Sequence, residues 1–244
     1  MFYVKVICMG NFGRKIEIFL EYMIANNGYK MVLEGLKNTA IIAVLGLFIG
    51  IVIGTLIAAV RVSPKYKFIV RFLNAVCSIY VSFFRGTPIV VQLLLFYYVL
   101  FPLIGMNITS VNVSVLVFGL NSGAYISEIM RGGILSVDRG QMEGGRAMGL
   151  SFSATMMKIV IPQAIKNIIP TMGNEFIALI KETSVVSFVG ATDLYKAFNT
   201  AGTNSYEFMV PYLAMAVIYI IMVLLISLLI KIIERRLRKS DKSL

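Results

Sequence analysis

The sequence predicts an all-α, polytopic membrane protein with about five transmembrane helices. Of its 244 residues, 58% are hydrophobic and only 14% are charged, and the mean hydropathy is +0.84. A soluble domain is nearer half apolar and a quarter charged. Two uncharged apolar runs are long enough to cross the hydrocarbon core of a bilayer, which takes about 20 residues of helix.

The N-terminal segment, residues 1–33, is predicted to be amphipathic and to lie outside the membrane. It carries no evident signal peptide, because Lys5, Arg14 and Lys15 interrupt its short apolar stretch. The first clear span runs from Thr39 to Val60. Small residues recur in it at a spacing of four: Gly46, Gly50, Gly54 and Ala58. Such a stripe lets another helix approach closely, and we favour packing within the chain over a dimer contact.

The second clear span is Phe208–Ile230. Three weaker spans lie between the two clear ones: Pro88–Ile104, Val111 to about Met130, and Ile165 to about Gly190. Each contains polar residues or a proline, which is typical of helices that face a pathway rather than lipid. Five spans place the two termini on opposite sides of the membrane.

The distribution of Lys and Arg predicts which side is which. Five basic residues lie in 61–85, five in 131–166 and six in the C-terminal tail, whereas the opposite connections are nearly bare. These three segments are therefore expected in the cytoplasm and the N-terminus outside, although five basic residues before position 39 mildly oppose that orientation. The net charge of +11 is then a matter of topology, and no nucleic-acid partner is expected.

Several classes of chemistry are excluded by composition. Histidine is absent, which removes the commonest general base and metal ligand, so we expect no catalytic site and no metal site. Cys8 and Cys77 form no metal-spacing or disulfide pattern. The sequence has no phosphate-binding loop of the G-x-x-x-x-G-K-[ST] type, so ATP, if it drives the protein, has to bind another chain.

The segment between the third and fourth spans is about 35 residues long, and connections of that length are commonly functional. It contains "EGGRAMGLSFSATMMKIVIPQ", in which Gly145 and Gly149 are predicted to lie one turn apart on a short helix. Ser151 is predicted to cap a second helix that ends near Pro162. A small-faced helix beside a second helix, both outside the membrane, favours a docking element for a partner protein.

The same segment resembles the E-A-A-x-x-x-G-x9-I-x-L-P pattern of permease subunits of ABC importers. Glycines replace the two alanines, and Ile161 replaces the leucine. The matching positions are Glu143, Gly144, Gly145, Gly149, Ile159, Ile161 and Pro162. Further stretches resemble the polar amino-acid branch, the histidine, glutamine and arginine uptake type: "SFFRGTPIVVQ", "NSGAYISEIMRGGI", "PQAIKNIIPTMGNEFIALIKETSVVS" and "ERRLRK". The similarity runs from about Glu34 to Arg238.

The resemblance implies a type I ABC importer permease fold in a prokaryotic cell membrane. It implies a permease domain at 34–238, a coupling helix at about 140–162 and a cytoplasmic tail at 239–244. Implied partners are a cytoplasmic ATPase dimer that holds ATP and Mg²⁺, an extracytoplasmic substrate-binding protein, and a second permease, for which we favour an identical copy over a paralogue. The implied ATPase-coupling residues are Glu143, Gly144, Gly145, Arg146, Gly149 and Pro162. No cofactor is expected on this chain.

Polar residues within the predicted spans are candidates for substrate contact, because ionisable groups at membrane depth are costly. Glu128 is the candidate for a cationic group of an amino acid. The other candidates are Asn121, Ser122, Tyr125, Thr183, Ser184 and Thr87. Glu128 could instead pair with Arg131, three residues on.

Other charged residues favour structural roles. Glu175, Lys181 and Glu182 favour an internal charge network, and Arg85 favours an interfacial position. The acids favour arginine, lysine or histidine as substrates, but glutamine remains open.

Two other functions are weighed against the ATP-driven importer. A secondary transporter driven by an ion gradient would show inverted repeats and broken helices in matching halves, and the five spans show no such symmetry. A membrane scaffold that anchors cytoplasmic enzymes would explain the docking segment but not the polar residues in the spans.

Overall fold

The computed structural model describes residues 11–64 and 66–239, and these residues form helices and no strand. The helices are α1 (Asn11–Ala25), α2 (Gly28–Val62), α3 (Phe68–Gly86), α4 (Ile89–Leu103), α5 (Ser110–Leu135), α6 (Arg139–Ala147), α7 (152–182), α8 (Leu194–Ser205) and α9 (Met209–Lys239). A 3₁₀ segment, Thr183–Val189, follows α7. Cys8 and most of the predicted tail lie outside the described residues.

Four helices are long and apolar enough to cross a membrane: α2, α3, α5 and α9. The predicted spans Thr39–Val60, Val111–Met130 and Phe208–Ile230 fall on α2, α5 and α9. The predicted span Pro88–Ile104 is the shorter apolar helix α4, which contains a π-helical turn. The predicted span Ile165–Gly190 falls on α7 and the 3₁₀ segment.

Glycines make the contact between α2 and α5. A Cβ atom added at each of three α2 glycines would meet an α5 side chain: Gly46 at 3.2 Å from Phe118, Gly50 at 2.7 Å from Ser122 and Gly54 at 2.7 Å from Ile126. The partners advance by four residues on both helices, so α2 and α5 are parallel. The predicted packing of the small-residue stripe within the chain is confirmed.

Because α2 and α5 are parallel, the chain between them has to cross the bundle once in the opposite direction. That crossing is shared by α3 and α4. The carbonyl oxygen of Phe84, near the end of α3, accepts a hydrogen bond from Asn121, near the middle of α5. The helix α3 therefore reaches only about half the depth of the bundle, and α4 completes the return.

The prediction that 61–85 is a cytoplasmic connection is wrong for most of that segment. Residues 68–86 form α3, which is apolar enough for the membrane. Lys67 and Arg71 lie at the start of the helix and Arg85 lies near its end. A count of charges over the whole segment therefore conceals the apolar stretch between them. With α3 and α4 counted together as one crossing and α7 as another, the described residues remain compatible with the five predicted spans.

The helix α7 runs antiparallel to α5. A Cβ atom at Gly133 of α5 would collide with Ile168 of α7, and one at Gly173 of α7 would lie 2.7 Å from Ile230 of α9. Hence α6 and the C-terminal ends of α2, α5 and α9 lie at the same end of the bundle, which we call the α6 end. The 3₁₀ segment and α8 lie at the other, the α8 end.

At the α8 end, the terminal elements are tied together by polar contacts. Asp193 is buried and caps α8 by accepting from the backbone N–H of Tyr195 and of Lys196. On α1, Lys15 forms an ion pair with Glu207 (3.1 Å), and this cation holds the pKa of Glu207 below its usual value. These contacts fix α1 against the loop between α8 and α9.

The α2–α5 contact predicts opposite tolerance of a large side chain at two glycines of α5, Gly119 and Gly132. Gly119→Leu in α5 is expected to lower the free energy of unfolding by about 1–3 kcal/mol, because the new side chain has to displace Ile49, which a Cβ would meet at 2.6 Å. Gly132→Leu, where a Cβ meets nothing within 4 Å, is expected to leave stability unchanged or to raise it by up to about 1 kcal/mol. Thermal unfolding in detergent, followed by circular dichroism, measures both. Equal losses in the two variants would contradict the packing argument.

Candidate functional site

One face of α7 is polar over most of the length of the helix. Gln163, Asn167, Asn174 and Lys181 are exposed on the single chain. At 3.6 residues per turn these four positions lie within about 40° of one another. The opposite face is apolar and packs on α2 and α5, with Ala164 and Ile168 buried. The polar face thus extends from Lys181 and Asn174 to the α6 end of the helix.

Such a face cannot lie against lipid tails at low cost, because nothing in hydrocarbon solvates amide and ammonium groups. It has to meet water or another polar protein surface. The polar face of α7 is thus the part of this chain that suits a pathway through the membrane.

The break between α3 and α4 is held by two buried amides. Gln92 is 1% exposed and donates from Nε2 to the carbonyl oxygens of Phe84 (2.8 Å) and Thr87 (3.0 Å), and to Thr87 Oγ1 (2.8 Å). Asn121 Nδ2 donates to Phe84 O (3.2 Å) and to Gln92 Oε1 (3.0 Å). A helix that ends inside a membrane leaves carbonyl groups unsatisfied, and this amide pair supplies donors for them. Thr87 and Asn121, predicted for substrate contact, thus have structural partners.

Ser122 and Tyr125 lie on two sides of α5. Ser122 is fully buried against Gly50, and its Oγ has no hydrogen-bond partner among the described residues. Tyr125 is half-buried, and the guanidinium carbon of Arg85 lies 5.3 Å from the centre of its ring. Arg85 is exposed on the single chain. Since Tyr125 is one turn from Asn121, Arg85 lies near the middle of the bundle and not at the interface that the sequence favours.

Glu128 is held between two arginines. Arg131 donates from Nη2 (2.8 Å) and Nε (3.1 Å) to one carboxylate oxygen, and Arg61 of α2 binds the other. The pairing of Glu128 with Arg131, which the sequence left open, is present. The two cations give the cluster a net positive charge near the α6 end. A role of Glu128 in substrate binding stays a prediction.

Thr183 and Ser184 belong to the 3₁₀ segment near the α8 end. Thr183 is fully buried and its hydroxyl donates to Ile180 O (2.7 Å). Ser184 donates to Lys181 O (3.1 Å) and lines a mainly apolar cavity of about 570 Å³ between α7 and α9. Lys181, Tyr195 and Tyr219 also line this cavity. Of the two hydroxyls, only that of Ser184 borders open space.

The predicted docking segment is one short helix followed by a sharp turn. The helix α6 has Asp138 as its N-cap, with Oδ1 accepting from the backbone N–H of Gly140 (2.6 Å). It ends before Gly149, whose φ of +82° is in the left-handed region that favours glycine. Gly149 is therefore not on the helical face with Gly145, contrary to the prediction. Pro162 lies within α7, just after its π-helical turn (156–160).

Gly145 faces its own chain and not the outside. It is buried, and a Cβ there would lie 2.5 Å from Thr155 of α7. Glu143, Gly144 and Arg146 are exposed, as is Met148 at 84%. The surface that α6 offers to a partner is therefore made of these exposed residues, and Gly145 packs α6 on α7.

Sequence comparison identifies the family. Residues 46–239 match the model for binding-protein-dependent transport system inner membrane components, and the chain belongs to this family. It is thus a membrane-embedded transport subunit, which works with a binding protein and with a separate ATPase subunit. Membership favours the ATP-driven transporter over the gradient-driven alternative.

Relatives and solved structures agree with this assignment. The chain is 39% identical to the putative glutamine transport system permease protein GlnP of Rickettsia bellii over 84% of this chain and 92% of the relative. It is 36% identical to the arginine transport system permease protein ArtQ of Bacillus subtilis over 86% and 94%. A crystal structure of an amino acid ABC transporter with histidines matches with a TM-score of 0.79 and 37% identity, over 88% of this chain and 98% of that one. The MetNI methionine ABC transporter, 21% identical, shares the fold with a TM-score of 0.71 over 85% and 96%.

Three features of the site escape the sequence analysis. Arg61 meets Glu128 across 67 positions of the chain, Gln92 satisfies a carbonyl group on another helix, and Arg85 lies at depth. The available signal was "RGTP": Gly and Pro between two apolar runs indicate a helix break. A break between two membrane helices places the arginine before it inside the bundle.

The amide pair generates a prediction about stability. Gln92→Leu is expected to lower the free energy of unfolding by about 1–3 kcal/mol. It removes the side-chain donor to the Thr87 carbonyl group, one of the two side-chain donors to the Phe84 carbonyl group, and an acceptor of the buried Asn121. Gln163→Leu, on the exposed polar face of α7, is the control and is expected to change stability by less than about 0.5 kcal/mol. Unfolding by heat in detergent measures both variants. A Gln92→Leu protein as stable as the control would contradict the role of the pair.

Proposed function

We propose that this chain is the permease of an ATP-driven importer of polar amino acids, and that the polar face of α7 lines the pathway. The observation that carries the proposal is the exposure of Gln163, Asn167, Asn174 and Lys181 along one face of a membrane helix. The similarity to permeases named for glutamine, arginine and cystine transport supports the substrate class. Charged groups in the spans favour basic amino acids.

Two copies of the chain, or this chain and a paralogue, are proposed to enclose the pathway. The polar face of α7 and the exposed Arg85 and Glu182 have no cover in the single chain. In a lipid bilayer a second permease facing them would convert this face into the wall of a water-filled passage. We favour the homodimer because the exposed face carries both signs of charge and can face its own copy.

The α6 end is proposed to lie in the cytoplasm, with the C-terminus inside and α1 outside. Basic residues concentrate at the α6 end: Arg61, Arg131, Arg139, Arg146 and the tail after Lys231. This is the distribution expected of the cytoplasmic side. The binding protein would then deliver substrate at the α8 end.

The helix α6 is proposed as the coupling helix of the ATPase contact. Its exposed residues Glu143, Gly144, Arg146 and the following Met148 form the docking surface, and Gly149 ends it. Gly145 contributes by packing α6 on α7, and the exposed Pro162, just after the π-helical turn of α7, is proposed to belong to the same contact. ATP and Mg²⁺ are held by the ATPase dimer.

The candidate substrate contacts are proposed at three levels of the pathway. Asn121, Ser122, Tyr125 and Thr87 surround the break between α3 and α4 in the middle of the bundle. Thr183 and Ser184 lie toward the entrance and Glu128 toward the exit, where a cationic amino acid would pass.

The test is uptake of radiolabelled L-arginine and L-glutamine into liposomes that contain this chain and its co-purified ATPase. The binding protein is on one side and ATP on the side of the ATPase. Uptake that requires ATP supports the function. Uptake driven by a pH or Na⁺ gradient alone, unchanged without the ATPase, contradicts it.

Glu128→Gln is expected to abolish most uptake of L-arginine while the complex still assembles, because a neutral amide attracts a cationic group far less than a carboxylate does. Arg131→Gln is the matched variant: it removes one ion-pair partner and keeps the carboxylate. Uptake that survives Glu128→Gln, or falls equally in both variants, would assign Glu128 to the ion pair alone.

Met148→Glu is expected to reduce the amount of ATPase that co-purifies with the permease, because it places a charge on an exposed apolar docking residue. Met106→Glu makes the same change in an exposed residue at the α8 end and is expected to leave co-purification intact. Equal recovery of the ATPase with both variants would remove α6 from the proposed contact.

A further inference from the structure

The start of α3 carries exposed aromatic and cationic side chains together. Tyr66, Phe68 and Phe72 are 91%, 78% and 58% exposed, and Lys67 and Arg71 between them are exposed as well. Neither cation belongs to an ion pair in the part of the chain that the structure describes. A surface with bare aromatic rings and positive charges that nothing neutralises suits a partner that is both apolar and anionic.

The depth of this surface in a membrane follows from the other end of α3. Phe84, near that end, accepts a hydrogen bond from Asn121 in the middle of the bundle. The helix begins sixteen residues earlier at Phe68, a rise of about 24 Å, or about 23 Å along the membrane normal at the usual tilt of about 20°. Half of a bilayer with its headgroups is about 20–22 Å thick. The first turn of α3 therefore lies at the level of lipid headgroups at the α6 end, and the exposed Val76 and Ile79 lie below it among the acyl chains.

The neighbouring sequence offers no carboxylate to neutralise these cations. It has no acid between Glu34 and Glu128, and Glu128 is already bound by Arg61 and Arg131. The preference for Lys and Arg on one side of a membrane accounts for the sign of the charge. It does not account for aromatic rings that are bare beside the charges, because topology requires no ring there. Aromatic rings at headgroup level are, however, typical of side chains that contact lipid at the membrane interface.

We propose that the start of α3 is a binding site for an anionic phospholipid, such as phosphatidylglycerol. Lys67 and Arg71 are four residues apart, so both reach the same side of the first turn and can donate to one phosphate group. Tyr66, Phe68 and Phe72 contact the glycerol and the upper part of the acyl chains. The proposal goes beyond the proposed function and holds whichever solute the permease carries.

The test uses the absence of tryptophan from the sequence. Phe68→Trp places one indole at the proposed site, and the permease–ATPase complex that carries it is reconstituted into phosphatidylcholine liposomes. Brominated phosphatidylglycerol or brominated phosphatidylcholine is then titrated in, because bromine quenches indole fluorescence on contact. The complex with the unaltered permease supplies the background from the ATPase. We expect phosphatidylglycerol to quench with an apparent affinity roughly 5- to 25-fold greater than phosphatidylcholine, about 5-fold for each cation at the membrane surface.

Lys67→Gln together with Arg71→Gln, added to the Phe68→Trp protein, is expected to remove this preference. The matched control is Arg139→Gln together with Lys158→Gln, which removes two exposed cations at the same end of the bundle and is expected to keep the preference. A second control moves the probe: Phe48→Trp lies on the exposed face of α2, away from the cations, and is expected to report no preference.

Equal quenching of Phe68→Trp by the two lipids, or a preference that survives loss of Lys67 and Arg71, overturns the proposal. Quenching by neither lipid means that protein covers the start of α3, either a second permease or the ATPase, and overturns it as well. An equal preference at Phe48→Trp indicates general enrichment of anionic lipid around the complex and no site. Tyr66→Trp repeats the comparison from the loop before the helix, and co-purification of the ATPase shows that each variant is assembled.

Discussion

The close contact between the parallel helices α2 and α5 determines the course of the rest of the chain. Glycines bring the two backbones together, and no larger side chain fits at Gly50 or Gly54. Because the two helices point the same way, the segment between them has to return through the membrane in fewer than 50 residues, connections included. It does so as two helices joined inside the bundle. The broken crossing, its buried amide pair and the depth of Arg85 all follow from that requirement.

Charged side chains inside the bundle differ in whether they form ion pairs. Glu128 is enclosed by Arg61 and Arg131, and such a triad stabilises the ends of α2 and α5. Arg85 and Glu175 lie deeper, where a bare charge costs more, and yet they form no ion pair in the described chain. A structural cluster satisfies its charges internally. The exposed Arg85 depends instead on water or on a facing polar surface for its solvation.

Hydropathy was sufficient to predict the spans on α2 and α9, because a long uncharged run in such an apolar chain matches the thickness of the hydrocarbon core. It also indicated the weaker span on α5 despite the polar residues there. The spacing of Gly46, Gly50 and Gly54 was sufficient to predict close packing. The helix α3 was missed because charge counting outweighed its short apolar run. The partners of Glu128 and Gln92 were not predictable, since they depend on which helices are neighbours. Gly145 fitted the family pattern, but only the fold shows that it faces Thr155 of its own chain.

The seat of α6 on α7 has a mechanical consequence. Residues 152–182 form one continuous helical rod about 45 Å long, and α6 rests on one end of it through Gly145 and Thr155. Because α6 is seated near the first turn of this rod, a force on α6 can tilt the rod. The tilt moves Asn174 and Lys181, which lie in its far half. A tilt of about 5° at the α6 end displaces the far end by about 4 Å, close to the width of a methylene group. Pro162 and Pro170 both lie within the rod and each lacks a backbone N–H to donate, so the rod can bend at these two points.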